Sequence, residues 1–154
     1  MGLDRGITVR VATNYDKFSD LFIDFVNDFW VDKKEFSLSS LDPDDIDDFN
    51  FKDFKSFNSL KPVLDSREKK GMANFLSLWV DKCDESILIS SVKKSELYDG
   101  NSSHYELTFT PGIAKRIAKA DRYTDYGFYL NQIIPRLLEM GCYVCEITCH
   151  DYDC

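Results

Sequence analysis

The chain has 154 residues, the size of a single domain with one hydrophobic core. Its net charge of −8 argues against a general nucleic-acid-binding protein, because such proteins contact phosphates mainly through lysine and arginine. Hydrophobic residues make up 44% of the sequence, which excludes a wholly disordered chain. No apolar run reaches the roughly 20 residues of a membrane span, and the first residues lack the apolar stretch of a secretory signal. We therefore expect a cytoplasmic protein.

The first half of the chain predicts one strand, one long helix and a long insertion. Residues 7–13 alternate apolar and polar side chains, which predicts a strand. Apolar residues between positions 15 and 34 recur at helical spacing, which predicts a helix. Residues 36–65 contain two prolines, many serines and aspartates, and no clean periodicity. We expect them to form an acidic, phenylalanine-rich insertion in a single domain of residues 1–154.

The second half of the chain predicts an alternation of helices and strands. In chain order, we predict a helix at 66–84 and a hairpin of two strands at 87–92 and 105–110. Two helices at 113–120 and 124–140 and a last strand at 143–150 follow. The expected fold class is α+β, in the order β-α-(insertion)-α-β-β-α-β. It would have a mixed or antiparallel sheet of about four strands, with helices packed on one face.

Five aspartates recur at every fourth position of the first predicted helix, at Asp16, Asp20, Asp24, Asp28 and Asp32. Like charges at this spacing destabilise a helix by roughly 0.2–0.5 kcal/mol per pair, so four pairs cost about 1–2 kcal/mol. A helix surface that serves only solubility would be more stable with a mixture of glutamate and lysine. The repeat therefore favours a row of anions that engages a basic partner. The alternative is a solvated helix face that happens to be rich in aspartate.

The predicted insertion interleaves aspartates with phenylalanines between residues 41 and 57. Acidic groups speed encounter with a basic surface, and buried aromatic anchors supply much of the binding energy of an interface. The spacing is not that of an EF-hand calcium loop. The alternative is a compact loop whose phenylalanines cover the core. The predicted partner-binding residues in both acidic segments are Asp20, Asp24, Asp28, Asp44, Asp45, Asp47, Asp48, Phe49, Phe51 and Phe54.

Four of the five cysteines lie within the last 13 residues, at Cys142, Cys145, Cys149 and Cys154. A strand over residues 143–150 would place Cys142 and Cys145 on opposite sides, and no second Cys-x-x-Cys pair completes a zinc site. Cys145 and Cys149 share one face of that strand, so we expect them to be small buried side chains. A zinc site or a redox pair is the alternative.

The sequence contains no recognisable catalytic motif. It lacks the nucleophile-elbow, metalloprotease, P-loop and dinucleotide-binding patterns. Cys149 and His150 would point to opposite faces of a strand, so they make a poor nucleophile and base pair. His104 lies near a predicted turn, where we expect a surface position. We therefore predict no enzyme, no catalytic residue, no metal and no cofactor.

Small size and strong acidity give the chain the general character of proteins that neutralise a basic partner. The expected function is that of an immunity or inhibitor protein of a bacterial toxin, most naturally a nuclease, or of a nucleic-acid mimic. The expected partner is the cognate toxin or another nucleic-acid-binding enzyme, and neither nucleic acid nor a membrane is bound directly. The alternatives are a secretion-type chaperone or adaptor, and a metal-binding protein or enzyme that uses the C-terminal cysteines.

Overall fold

The computed structural model describes residues 4–31, 36–41, 51–94 and 103–152. In chain order the elements are β1 (Asp4–Thr13), α1 (Phe18–Val26), β2 (Leu38–Leu41), β3 (Phe51–Phe54), α2 (Phe57–Lys69), β4 (Asn74–Val80), β5 (Glu85–Lys94), β6 (Ser103–Pro111), β7 (Arg116–Ile117), β8 (Ala120–Thr124), α3 (Tyr126–Glu139) and β9 (Tyr143–Tyr152). Seven strands form one antiparallel sheet in the order β3-β2-β4-β5-β6-β1-β9, and β7 pairs with β8 separately.

The predicted fold class, α+β with about four strands and helices packed on one face, is wrong. The described chain is mostly sheet, with three short helices. The largest error is the predicted helix over residues 66–84, where residues 74–80 form β4 instead. Buried Leu76 and Leu78 alternate with less buried neighbours along this strand. A run of closely spaced apolar residues fits both the helical and the strand period, and tertiary pairing selects the strand.

Residues 36–65, predicted as an insertion, contain regular secondary structure where the structure describes them. This segment contains β2, β3 and the first part of α2, while residues 42–50 lie outside the described residues. Each short strand contributes a buried side chain, Leu38 in β2 and Phe54 in β3. Leu38 pairs with Phe54 and, on its other side, with Leu78 of β4. Strands of four residues are too short to produce a visible period.

The predicted helix at residues 113–120 is replaced by the β7–β8 hairpin. Ala114 and Lys119 both have a φ of 64°, a left-handed conformation that interrupts a right-handed helix. Buried Glu85 accepts hydrogen bonds from the amides of Ile113 and Ala114, at 3.1 and 3.0 Å. The segment after β6 therefore turns around this carboxylate.

Several local predictions are confirmed. Residues 7–13 lie within β1, and residues 143–150 lie within β9. Residues 87–92 and 105–110 lie in β5 and β6, which pair antiparallel. Residues 126–139 form α3, and Gly141 follows it with a φ of 81°, as expected for a glycine that ends a helix.

The helix predicted for residues 15–34 begins at Phe18 and ends at Val26. Asn27 is extended and Asp28 is left-handed, with a φ of 57°. The chain reverses here so that Trp30, which is 2% exposed, packs edge-on against Phe25 with ring centroids 5.1 Å apart. The apolar spacing continues past the helix because the turn, too, buries its aromatic residues.

One continuous core joins the sheet to the helices. Side chains at alternate positions of β1, at Ile7, Val9 and Val11, are fully buried. The same core contains the apolar face of α1, formed by Phe18, Leu21, Phe22 and Phe25, together with residues of α2 and α3. Because this face of α1 points inward, its aspartates point outward.

The N-terminal end of α1 is held by groups from distant parts of the chain. A carboxylate oxygen of Glu68 accepts a hydrogen bond from the Phe18 amide at 2.9 Å. The Tyr105 hydroxyl donates to the other oxygen of Glu68 at 2.7 Å and lies 3.1 Å from the Asp16 carbonyl oxygen. An anion at this position satisfies a free amide and complements the positive end of the helix dipole.

The C-terminal end of α1 is held by Arg136 of α3. Its guanidinium donates to the carbonyl oxygens of Asp24, Phe25 and Asn27, at 2.7, 3.1 and 3.1 Å. A cation at this end satisfies free carbonyls and complements the negative end of the dipole. Arg136 therefore joins α3 to α1.

We expect Arg136→Met to lower the free energy of unfolding by about 2 kcal/mol, because charge-assisted hydrogen bonds to three carbonyls, two of them partly buried, are lost. Chemical denaturation of both proteins measures the difference. Arg10→Met is the matched control, since Arg10 makes only a 3.9 Å pair with the exposed Glu146. That change is expected to cost less than about 0.5 kcal/mol. Equal losses in the two variants would contradict the role of Arg136.

Candidate partner-binding surface

The acidic ridge consists of Asp16, Asp20, Asp24 and Asp28, which are all exposed. Asp20 and Asp24 lie on α1, whereas Asp16 precedes the helix and Asp28 follows it. Asp32, the last aspartate of the repeat, lies outside the described residues. Only one i,i+4 pair of aspartates therefore falls within the helix, at a cost of roughly 0.2–0.5 kcal/mol rather than the expected 1–2 kcal/mol.

Asp20 and Asp24 of the acidic ridge each have a local partner that orients the carboxylate. Asp20 is 51% exposed and lies 2.8 Å from the ammonium of Lys61. The Tyr15 hydroxyl donates a hydrogen bond to Asp24 at 2.8 Å. Lys61 also lies 3.5 Å from Asp65, so it is shared between two carboxylates. The carboxylates of the ridge therefore keep a net negative charge while two of them have fixed orientations.

Burial and the Asp24 carboxylate together raise the pKa of Tyr15 to about 12. Burial is the larger cause, because it disfavours the phenolate, and the hydrogen bond to Asp24 adds to it. Tyr15 therefore keeps its proton at neutral pH. Its hydroxyl remains a donor to Asp24.

A cleft of about 290 Å³ adjoins the end of the acidic ridge. It lies between the turn after α1 and the turn after β4, and is lined by Asp28, Phe29, Trp30, Val31, Asp81 and Lys82. The ammonium of Lys82 lies 4.3 Å from the centroid of the Phe29 ring. The exposed Trp79 donates its indole N–H to Asp81 at 3.0 Å. The cleft thus combines aromatic surface with carboxylates, which suits a cationic side chain.

Sequence reasoning missed the part of this cleft that comes from β4 and the turn after it. Asp81 and Trp79 lie more than 50 positions from Asp28, and only the folded sheet brings Asp81 into the same cleft. Phe29 is half-buried: it packs against the core and also lines the cleft.

The predicted residues of the insertion have different outcomes. Asp44, Asp45, Asp47, Asp48 and Phe49 lie outside the described residues. Phe51 begins β3, and only its backbone is described. Phe54 is 7% exposed and belongs to the core, so its ring cannot serve as a surface anchor in this fold.

The C-terminal cysteines do not form the buried row that the sequence predicts. Cys142 is buried, but Cys145 and Cys149 are exposed, because β9 is an edge strand with β1 as its only neighbour in the sheet order. The prediction of a surface position for His104 is also wrong, since it lies in β6 and is 9% exposed. Within the described ranges, no three His, Cys, Asp or Glu side chains are placed to hold a metal ion.

Comparison with protein-family models, curated proteins and solved structures finds no match. Among the described residues, no helix is long and apolar enough to cross a membrane. The function has to be inferred from the acidic ridge and the adjoining cleft themselves.

We expect Asp24→Asn to lower the pKa of Tyr15 from about 12 while leaving it above the ordinary value near 10, because burial persists. Ultraviolet absorbance during alkaline titration follows the phenolate, and Tyr15→Phe identifies its contribution. The unfolded chain releases this proton near pH 10, so the fold should lose stability as the pH rises from about 10 towards 12. Asp81→Asn is the control, and a shift of the same size there would contradict the assignment.

We expect Cys145 to be alkylated quickly in the native protein, Cys142 slowly, and Cys149 at an intermediate rate, because burial also raises the pKa of the Cys149 thiol. Cys142 is 4% exposed, and burial raises the pKa of its thiol, so little thiolate forms. Timed reaction with iodoacetamide followed by peptide mass spectrometry measures each rate. The protein unfolded in guanidinium is the control, in which the differences should vanish. Equal native rates at Cys142 and Cys145 would contradict the described burial.

Proposed function

We propose that this protein binds and neutralises a basic protein, in the manner of an immunity or inhibitor protein of a bacterial toxin. The observation that carries the proposal is the acidic ridge on a helix that is held at both ends. Asp16, Asp20, Asp24 and Asp28 are exposed on the same segment. A nuclease is the favoured partner, because its substrate site attracts phosphates and would attract these carboxylates for the same reason.

The fixed position of α1 supports an inhibitory role. Binding is stronger when the surface is already in its bound conformation, because less conformational entropy is lost. Glu68 and Arg136 hold the two ends of the helix, and its apolar face is buried. The carboxylates of the acidic ridge therefore meet a partner without a helix having to form.

The cleft supplies the second feature that an inhibitory interface needs. Charged side chains at the rim of an interface speed association, while aromatic pockets provide the lasting contacts. The Phe29 ring already contacts a cation, because the ammonium of Lys82 lies 4.3 Å from the ring centroid. An arginine or lysine of the partner could take the place of Lys82 there, between Asp28 and Asp81. The exposed, unpaired Cys145 and Cys149 are compatible with action in the reducing cytoplasm.

Affinity capture from the protein's own cells, at low and high salt, tests the proposal directly. We expect one stoichiometric basic protein, identified by mass spectrometry and released at high salt because the association is electrostatic. Activity of the captured protein as a nuclease, and its inhibition by the added acidic protein, would identify the function. A stoichiometric partner that is acidic, or no partner at either salt concentration, would refute the proposal.

We expect the double change Asp24→Asn and Asp28→Asn to slow association with that partner about tenfold at low salt. Asparagine keeps the shape of each side chain and tolerates the left-handed φ of Asp28. Surface plasmon resonance gives the association rate. The matched control is Asp53→Asn with Asp121→Asn, which removes the same charge from exposed positions elsewhere. An equal effect of both pairs would show that net charge, and not the ridge, matters.

A further inference from the structure

The strand β9 forms one edge of the seven-stranded sheet and has apolar side chains that nothing covers within the described chain. Its neighbour β1 is buried, since Ile7 and Val9 are 0% exposed. Ile147 and Cys149 lie directly opposite Val9 and Ile7 and so share their face of the sheet. Yet Ile147 is 45% exposed and Cys149 is exposed. Burial on this face is therefore incomplete at residues 147 and 149 of β9.

The region around β9 is rich in exposed apolar surface. Among the eight large hydrophobic residues that are exposed in the described chain, three lie within ten positions, at Leu138, Tyr143 and Ile147. Leu138 lies in the last turns of α3, a helix that contacts β9. The opposite edge strand, β3, has four residues, whereas β9 has ten. A long edge strand with apolar side chains is a template for pairing with another strand.

We propose that β9 pairs antiparallel with β9 of a second copy of this chain, about a two-fold axis at Thr148. Such an axis is perpendicular to the sheet. The two seven-stranded sheets therefore join into one continuous sheet, and each helix lies on the same side of that sheet as its counterpart in the other copy. Residues 146–150 of each copy then face each other. Ile147 of each copy lies opposite Cys149 of the other copy. These two symmetric pairs cover the exposed apolar positions.

Charge and strand geometry favour this register. Glu146 falls opposite His150 of the second copy, so no two carboxylates face each other across the axis. An axis at Glu146 would instead place two carboxylates opposite each other, which is unfavourable. The pairing of β1 with β9 shifts between Arg10 and Val11, so the strand is irregular around Cys145. An axis at Thr148 uses only the regular part of β9 beyond this bulge.

The interface is expected to be small. Tyr126 of α3 donates its hydroxyl to the His150 carbonyl oxygen, and the Thr124 amide donates to Asp151, so the far end of β9 is already engaged. Pairing over about five residues with its flanks falls at the low end of specific interface sizes. The dimer should therefore form reversibly as the protein concentration rises.

Sedimentation equilibrium over a range of concentrations, with reductant present to exclude disulfides, tests the proposal. We expect a monomer–dimer equilibrium in which Ile147→Lys raises the dissociation constant at least about tenfold, because two ammonium groups would flank the axis. Val92→Lys is the control: Val92 is 40% exposed but lies on β5, three strands from β9 in the sheet order. Its dissociation constant should equal that of the wild type. Circular dichroism verifies that both variants are folded.

Hydrogen exchange on the unaltered protein provides a second measurement that does not depend on any variant. Within residues 146–150, the alternate amides that point away from β1 should exchange more slowly as the protein concentration rises, while the amides of β3 should not change. A protein that stays monomeric at every concentration would overturn the proposal. So would a dimer that Ile147→Lys and Val92→Lys weaken equally, or one whose protection appears elsewhere.

Discussion

The fixing of α1 at both ends is the constraint on which the candidate surface depends. Nine residues are too few for a stable helix in water, where about 12 to 15 are needed even in favourable sequences. Glu68 holds the positive end and Arg136 the negative end, so each charge complements the dipole it faces. Both residues come from distant parts of the chain. The helix therefore exists because the sheet brings α2 and α3 alongside it.

This arrangement also explains how the protein tolerates its closely spaced aspartates. Were the helix longer, every added turn would bring another repulsive pair. Ending it at Val26 leaves Asp20 and Asp24 as the one pair within the helix, and Lys61 lies beside the first of them. The left-handed Asp28 continues the acidic ridge without continuing the helix. The result is a dense negative surface at a small cost in stability.

The sequence predicts those elements whose pattern has a single interpretation. β1 alternates strictly, and α3 has a clear helical period with a glycine at its end. β4 has apolar residues that fit two periods, and only its pairing with β2 and β5 decides between them. The acidic ridge was partly predictable from the aspartate spacing. The cleft was not, because Asp81 reaches Asp28 only through the fold, and Phe54 was misassigned because composition does not reveal which phenylalanines are buried.

The two proposed surfaces are separate in the fold, yet a dimer through β9 would affect the acidic ridge. The two-fold axis is perpendicular to the sheet, so both copies of α1 lie on the same side of the joined sheet. Two acidic ridges would then face one direction. A partner that is itself dimeric could engage both, and the second contact would form at a high effective concentration. A weak association between copies of this chain could thus strengthen binding to a basic partner without any new contact at the ridge.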